Sequence, residues 1–590
     1  MSLTDASQHQ NDQAYKIRHS AEHILTQAME RLFGQDKFFM AMGPATDESF
    51  YFDFEPLNGF KISEDDFPQI EAEMAKIIKE NLPITQKIIS IDEAKKLFAN
   101  NPYKVEWLDS ITDRGEKISV YWTADQFVDL CAGPHVDFTK QVTAFKLLSI
   151  AGAYWHGDEK NKMLTRIYGV AFDSKDKLKE YLKNLEEAKK RDHRKLGPQL
   201  GLFFLDETAP GMPYWLPNGT IIINELLKFW REEHTKRGYF ETITPLLNKN
   251  SLYITSGHWE HYREHMFIAD MKEDGLYCLK PMNCPNAMTI FSKTKHSYRE
   301  LPLRLSDCDT LHRHEKSGEL SGLLRVQKFA QDDAHIFVME SQIKEEYVRI
   351  LEIASLFYSI FDIKFRIRIG TRPEHFMGDI STWNKAEKDL QEIMKDANIE
   401  FFVGDGEGAF YGPKLDIMMK DCMGREWQTG TIQLDFQLPR NFNLKYTDAD
   451  GSEKTPVVIH RVIYGSLERF MGILIEQFAG AFPVWLSPLQ AKIIPITDSQ
   501  HQYAQKVADE LIKEGIRVEI DDRSEKMQAK IRDAQMQKVP YMLIIGQREA
   551  DSNAIAVRQR DQQDLGAMPV DEFIKQIKEQ INNKSLNLIK

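Results

Sequence analysis

The stretch LLRVQKFAQDDAHIFV, Leu323–Val338, decides the architecture of the middle of this chain. It reads as β-structure, and other segments of the same kind surround it. LPLRLSDCDTLHRHE (Leu301–Glu315) precedes it; FRIRIG (Phe365–Gly370) and WQTGTIQLDFQL (Trp427–Leu438) follow. Helical stretches such as SQIKEEYVRILEIASLFYSIF (Ser341–Phe361) break them up. This order predicts an antiparallel sheet with flanking helices. Upstream, Ile221–Leu247 reads as a long helix, a stop at Gly238 and a strand running into Pro245. Downstream, a helix begins after Gly465.

Two seams bound this middle section. LKEYLKNLEEAKKRDHRKLG, Leu178–Gly197, is a charged helix with Leu178, Tyr181, Leu182 and Leu185 on one stripe, suited to joining two domains. FPVWLSPLQAK, Phe482–Lys492, ends a helix with prolines and opens a strand. Beyond it, strands and amphipathic helices alternate, which predicts a small α/β domain with a mostly parallel sheet. The expected class is therefore α+β, multidomain. The expected divisions are an N-terminal domain over 1–177, a linker helix over 178–197, a central domain over 198–487 and a C-terminal domain over 488–590.

The 590 residues carry a net charge of -13 and five cysteines. An odd, widely spaced set of cysteines argues against a disulfide framework and for a reducing compartment. No apolar run reaches the ~18 residues of a membrane span. The polar N-terminus lacks the apolar core of a secretory signal. A soluble cytoplasmic protein is expected. The acidic total does not exclude local basic patches that bind nucleic acid.

Cys284 lies between two prolines in KPMNCPNAM, Lys280–Met288. Most free cysteines are small buried core residues. His335 and His460 sit in β-type segments among hydrophobics, where satisfied core histidines are common. Three such residues in separate segments are not a recognisable zinc spacing.

The surrounding motifs carry more. GYFETITP (Gly238–Pro245), LHRHE with the arginine-led strand after it (Leu311–Val326) and GSLERFMGIL (Gly465–Leu474) occur in that order. They resemble the three motifs of the class II aminoacyl-tRNA synthetases. KPMNCP, LRVQKFAQDDAHIF, GEGAFYGPK and IHRVIYGSLERFMGIL narrow the resemblance to the threonyl-tRNA synthetase family, from about residue 16 to the C-terminus. The resemblance implies a class II catalytic domain with an antiparallel sheet, an N-terminal α+β editing domain and a C-terminal α/β anticodon-binding domain. It implies ATP-dependent ligation of L-threonine to tRNA(Thr), Mg2+ with ATP, and a homodimer formed through motif 1.

Site residues follow by position. Cys284, His335 and His460 match zinc ligands, one zinc per subunit. One thiolate and two imidazoles leave coordination positions open, as a catalytic zinc requires. Arg313 and Arg469 match the motif 2 and motif 3 arginines on the α- and γ-phosphate sides. Gln331, Asp333, Tyr411, Lys414, Gln428 and Gln433 match the lining of the amino-acid and adenylate pocket. His258 in SGHWEHY matches a histidine linked to transfer onto the tRNA ribose. After the cysteine, Asn286-Ala287 stands where the family usually has Gly-His.

Zinc distinguishes threonine from valine but not from serine, and excluding a smaller analogue by binding yields only ~10–200-fold discrimination. A second, hydrolytic site is expected. RHSAEHIL places His19 and His23 at i and i+4 on one helix face, and DLCAGPH adds Cys131 and His135. These motifs, with Lys104 and Asp129, resemble the editing domain of threonyl- and alanyl-tRNA synthetases. The four His/Cys groups would suit either a tetrahedral zinc or a positioned water; the resemblance favours the water. Arg532, Glu549 and Arg558 match positions that contact anticodon bases. The family's N-terminal ubiquitin-like domain is expected to be missing.

Overall fold

A computed structural model describes residues 9, 12–46, 49–396, 399–409 and 412–589. The chain divides into two compact units, Met1–Glu187 and Ala188–Lys590. The boundary falls within the helix Lys175–Arg191, which buries no residue. The single charged helix expected over 178–197 is two helices. The chain breaks at Asp192, whose carboxylate accepts from the Arg194 N–H (2.8 Å). That cap starts the short helix His193–Gln199.

In the first unit the helix α1, Gln13–Phe33, starts where the Asp12 side chain accepts from the Tyr15 N–H. It ends at Gly34, whose φ of 87° suits a residue without Cβ. The helix packs on the helix Phe67–Glu80 and on a four-stranded antiparallel sheet ordered Phe38–Met42, Phe50–Pro56, Met163–Phe172, Ala144–Tyr154. Ile24, Leu25, Phe52, Phe54, Ile70 and Ile167 meet in this core. A separate three-stranded sheet, Ile84–Ile88, Ser119–Thr123 and Phe127–Leu130, carries Asp129 at its end.

The second unit is built on a nine-stranded sheet. In chain order its path strands are β1 Tyr239–Glu241, β2 Leu303–Asp307, β3 Lys328–Val338, β4 Phe365–Gly370, β5 Phe401–Gly404, β6 Lys414–Lys420, β7 Glu426–Asp435 and β8 Val457–Ser466. Their spatial order is β1-β2-β3-β8-β7-β6-β4-β5, with Thr310–His312 pairing β3 off the path. All pairings are antiparallel except β1 with β2 and β4 with β5.

Period-two alternation gives this sheet two chemically distinct faces. Ala334, Ile336, Ile459, Ile432, Leu434, Leu415 and Ile417 point into the main core. There they meet Leu226 and Trp230 of the helix Pro217–Lys236 and Tyr347, Ala354 and Phe357 of the helix Ile343–Ser359. Each large side chain buried this way contributes about 1.5–3 kcal/mol. The intervening residues face the other way, and register aligns them in rows. One row runs His335, His460, Gln433, Lys414 across β3, β8, β7 and β6. The next runs Asp333, Val462, Thr431, Asp416, Arg368, ending on β4.

The C-terminal part holds a five-stranded sheet ordered Val518–Ile520, Ala491–Pro495, Tyr541–Ile545, Ala554–Gln559, Asp564–Pro569. The first two pairings are parallel and the last two antiparallel, so the sheet is mixed rather than mostly parallel. The short helix Gln547–Asp551 is too brief to cross over the sheet and returns the chain antiparallel. Among the described residues no helix is long and apolar enough to cross a membrane.

Candidate functional site

The polar face of the large sheet floors a cleft of about 610 Å³. Arg313, Arg469, His258, Cys284, His460, Gln331, Asp333, Gln428 and Gln433 all line it. Lys414 lies beyond this lining, at the end of the His335 row, 3.2 Å from Asp416. Asp416 also accepts from Gln428 Nε2 (2.7 Å) and from Arg368 (2.8 Å). Tyr411 lies outside the described residues.

At one end, Cys284, His335 and His460 bring one ligand atom each within 4.8 Å of one another. Cys284 opens the helix Cys284–Phe291, with Pro285 in its first turn. Pro285 thus serves a helix start, where the missing N–H costs nothing. Cross-strand register sets the two imidazoles side by side, ring centroids 4.9 Å apart. Both nitrogens of His335 are fully buried, with no hydrogen-bond partner among the described residues. Such orphaned polar atoms are expensive unless a ligand satisfies them. His460 Nε2 is held by Asp435 Oδ2 at 2.8 Å, the carboxylate–histidine arrangement that orients metal-bound imidazoles. Burial raises the Cys284 thiol, an effect that a coordinated cation reverses. The donor set fits a divalent metal of zinc type.

Asn286 is buried, and its Nδ2 donates to the carbonyl of Pro245 at 3.3 Å. The departure after the cysteine therefore ties the Cys284 helix to the motif 1 segment. Asn283 Nδ2 reaches Asp333 Oδ2 at 3.3 Å, and burial raises Asp333 to about 6.

At the other end the cleft is cationic. Arg469 Nε donates to Leu324 O (2.8 Å) and Nη1 to Gln428 O (3.1 Å). Arg313 Nε donates to Pro281 O (3.2 Å), and its guanidinium lies over the Phe329 ring. Burial, followed by the Arg313 and Arg325 charges, holds Arg469 below its ordinary value. Like charges gathered round a concave surface are the electrostatic form of a polyanion site. Arg325 also lines the cleft and pairs with Glu315 (2.7 Å) and Glu319 (2.8 Å). It heads the arginine-led segment after LHRHE, and that position was the signal from which a role could have been expected. His258 Nδ1 is 2.8 Å from Ser256 Oγ, and burial lowers its imidazole to about 4.

The first unit assembles its own cluster around a cavity of about 110 Å³. Cys131 Sγ lies 3.4 Å from His19 Nε2 and 3.3 Å from His135 Nε2. The opposite nitrogens are fixed by Pro134 O (3.2 Å to His19 Nδ1) and Ser20 Oγ (3.1 Å to His135 Nδ1). The His23 ring lies tilted against the His135 ring, centroids 4.1 Å apart. Burial lowers His19 to about 4 and holds His23 and His135 well below the ordinary range, while raising the Cys131 thiol. Lys104 Nζ and Asp129 Oδ1 form a buried pair at 2.6 Å on the same cavity. Gly133 is obligatory here. Its φ is +78°, and a Cβ would sit 2.1 Å from the Tyr121 hydroxyl.

The three C-terminal residues are not brought together in this way. Arg532 is exposed on the helix Met527–Met536, Glu549 caps the Gly546 N–H at 2.9 Å, and Arg558 lies on the strand Ala554–Gln559. Among the described residues no hydrogen bond or ion pair joins them.

Three family models match this chain. Residues 267–478 match the tRNA synthetase class II core domain (G, H, P, S and T), and residues 490–580 the anticodon binding domain. Residues 118–168 match the threonyl and alanyl tRNA synthetase second additional domain. A threonine–tRNA ligase of Clostridium botulinum (strain Kyoto / Type A2) is 52% identical over 573 residues, 97% of this chain and 89% of that protein. The chain belongs to the threonine–tRNA ligase family. A further threonine–tRNA ligase, from Clostridium tetani (strain Massachusetts / E88), is 50% identical over 96% of this chain and 88% of its own. Among solved structures, the RNA binding domain of threonyl-tRNA synthetase from Cryptosporidium parvum Iowa II aligns with a TM-score of 0.64 and 41% identity. That alignment covers 66% of this chain and 98% of the other. The class II core, anticodon-binding and second additional domains of the family thus account for the α+β multidomain architecture.

Proposed function

We propose that this chain is an ATP-dependent threonine–tRNA ligase that also clears Ser-tRNA(Thr) in its N-terminal unit. The supporting observation is the placement, in one cleft, of a Cys/His/His donor set at one end and three arginines at the other. This suits an amino acid held beside a polyphosphate. Cys284, His335 and His460 would hold one zinc ion per subunit, which when bound supplies open coordination positions for the amine and hydroxyl of threonine.

The chain's own residues do the rest. Asp435 keeps His460 oriented, and Gln331, Asp333, Gln428 and Gln433 offer polar partners to the bound amino acid and adenylate. Lys414, held by Asp416 beside Gln428, would reach the same substrate, and Tyr411 would join it on the resemblance alone. ATP enters with Mg2+. The threonine carboxylate oxygen attacks the α-phosphorus, the new O–P bond forms, and the bond to pyrophosphate breaks. Arg313 would neutralise charge growing on the α-phosphate, and Arg469 would hold the γ-phosphate side. A planar guanidinium suits both tasks because it binds two oxygens at once. A tRNA ribose hydroxyl then attacks the carbonyl carbon and AMP leaves. His258, kept neutral by burial, would take part in that transfer.

In the first unit, neutral His19, His23 and His135 with Cys131 would position a water against the misacylated ester, and the Lys104–Asp129 pair would orient it. Arg532, Glu549 and Arg558 would read anticodon bases, which are accessible on their Watson–Crick edges. The short β1 strand sits at a sheet edge; Phe240 within it is 61% exposed and Ile243 just after it 88%. An apolar edge of this kind is suited to a homodimer contact. We place the enzyme in the cytoplasm. ATP–pyrophosphate exchange with a panel of amino acids tests the activation reading. Exchange with threonine, weaker exchange with serine and none with valine or proline is expected; exchange led by another amino acid would overturn it.

A further inference from the structure

His193 lies outside the cleft, at the start of the helix His193–Gln199, and is 2% exposed. Its Nε2 accepts the backbone N–H of Leu323 at 3.0 Å. The proton therefore sits on Nδ1, which donates to Glu476 Oε1 at 2.6 Å. Glu476 stands at the end of the helix Leu467–Phe478, the one that carries Arg469. Burial opposes its charge, but His193 and Arg425 outweigh burial and keep the carboxylate ionised.

The loop that His193 holds is the one from which Arg469 hangs. Leu324, next to Leu323, gives its carbonyl to Arg469 Nε at 2.8 Å. Arg325 follows directly and lines the cleft. Gly322 precedes them with φ +52°, and a Cβ there would lie 2.2 Å from His193 Nε2. Gly472 of the arginine-bearing helix presses on the same loop, a Cβ there falling 3.2 Å from Leu324 and 3.3 Å from Leu323. Loop, helix and imidazole form one closed circuit: Glu476, His193, Leu323–Leu324, Arg469.

We infer that His193 is a positioning residue for the triphosphate end of the cleft, setting Arg469 and Arg325 through the 322–324 loop; this rests on the reading of that end as the ATP site. The test uses the full chain and two variants that divide the imidazole's functions. His193→Gln offers an amide oxygen where Nε2 was and keeps the bond to Leu323. His193→Asn offers an amide near Nδ1, keeps Glu476 and releases Leu323. One neutral hydrogen bond is worth about a five- to tenfold change. In pyrophosphate exchange, His193→Asn is expected to raise KM for ATP by about that factor with KM for threonine unchanged. His193→Gln should remain within about twofold of wild type. Amide hydrogen exchange of the segment 320–326 should quicken in the Asn variant only. Gly322→Ala disturbs the same seat from the loop side and should raise KM for ATP as much or more. Equal ATP KM values for wild type, His193→Asn and Gly322→Ala would overturn the inference, as would parallel rises in both KM values with a lowered Tm. Arg469→Ala separates the two levels. If it exchanges normally, the reading of the cleft fails; if it is inactive while the other variants match wild type, only the role of His193 fails.

Discussion

Asp435→Asn isolates what the protein contributes to the proposed metal centre without touching a ligand. Asp435 Oδ2 holds His460 Nε2 at 2.8 Å, and both side chains are buried. Its other oxygen accepts the Gln437 and Leu438 N–H groups at 2.7 and 3.0 Å. Asparagine keeps that second oxygen, so the turn after β7 should survive. It loses the charge, and a charge-assisted hydrogen bond contributes about 1.5–3 kcal/mol. At 1.4 kcal/mol per tenfold, zinc affinity should fall by roughly 10–100-fold, the range found for lost partners of metal-bound histidines. The new amide adds a second penalty. If its NH2 donates to Nε2, the ring proton moves to Nδ1 and blocks the nitrogen left for the metal. The assay is competition for zinc against a chromophoric chelator, on variant and wild type of matched thermal stability. Unchanged affinity in a folded variant would show that Asp435 does not tune the site and would refute the reasoning.

Arg313→Lys keeps the charge but loses the two-pronged geometry; exchange should drop at least ~100-fold while equilibrium threonine binding to the zinc-loaded enzyme stays near normal, and near-normal exchange would remove Arg313 from the reaction. Replacing both His19 and His23 by alanine should leave threonylation intact and abolish deacylation of preformed Ser-tRNA(Thr); clearance at the wild-type rate would exclude this cavity as the editing site. Running that assay on wild type with a chelator, after controlling for the zinc of the catalytic cleft, separates a bound metal from a positioned water. Glu468→Gln addresses stability. Burial raises the Glu468 carboxyl from 4.5 to about 7. The folded state therefore binds the extra proton between those values, and wild-type stability falls as pH rises through that window. The glutamine variant should match wild type below about pH 4.5 and exceed it by up to about 3 kcal/mol above pH 7. A thermal-melt series in which the difference did not grow with pH would sink this assignment.

The sheet-forming segments were legible because strand composition is local. The helix Pro217–Lys236 and its stop at Gly238 were legible for the same reason. The break at Asp192 was not, because a capping aspartate inside a run of charges looks like one more solvated residue. The strand Asp564–Pro569 was not expected, because a short segment holding Gly566 and ending in Pro569 has weak strand composition. In the cleft, Cys284, His335 and His460 were found through motif resemblance, since their separation carries no spacing pattern. Asp435, which holds His460, Asp416, which holds Gln428 and Lys414, and Ser20 in the first unit were invisible. Each reaches its partner through tertiary register or a side-chain hydrogen bond, and neither leaves a trace in a linear pattern.

The alternation along β3 makes folding and chemistry share one instruction. Phe329, Gln331 and Asp333 line the cleft and His335 meets Cys284 and His460 on the same face, while Ala334, Ile336 and Val338 face the core. Sliding the strand by a single residue would exchange the two sets. The carboxylate and the imidazole would then be pressed into hydrocarbon, at a cost of several kcal/mol. The reactive residues are thus also guards against misalignment: a chain that paired β3 wrongly would lose its active surface and its core in the same step. Single-residue insertions or deletions between Lys328 and Val338 should accordingly yield protein that does not fold, rather than folded protein that does not react.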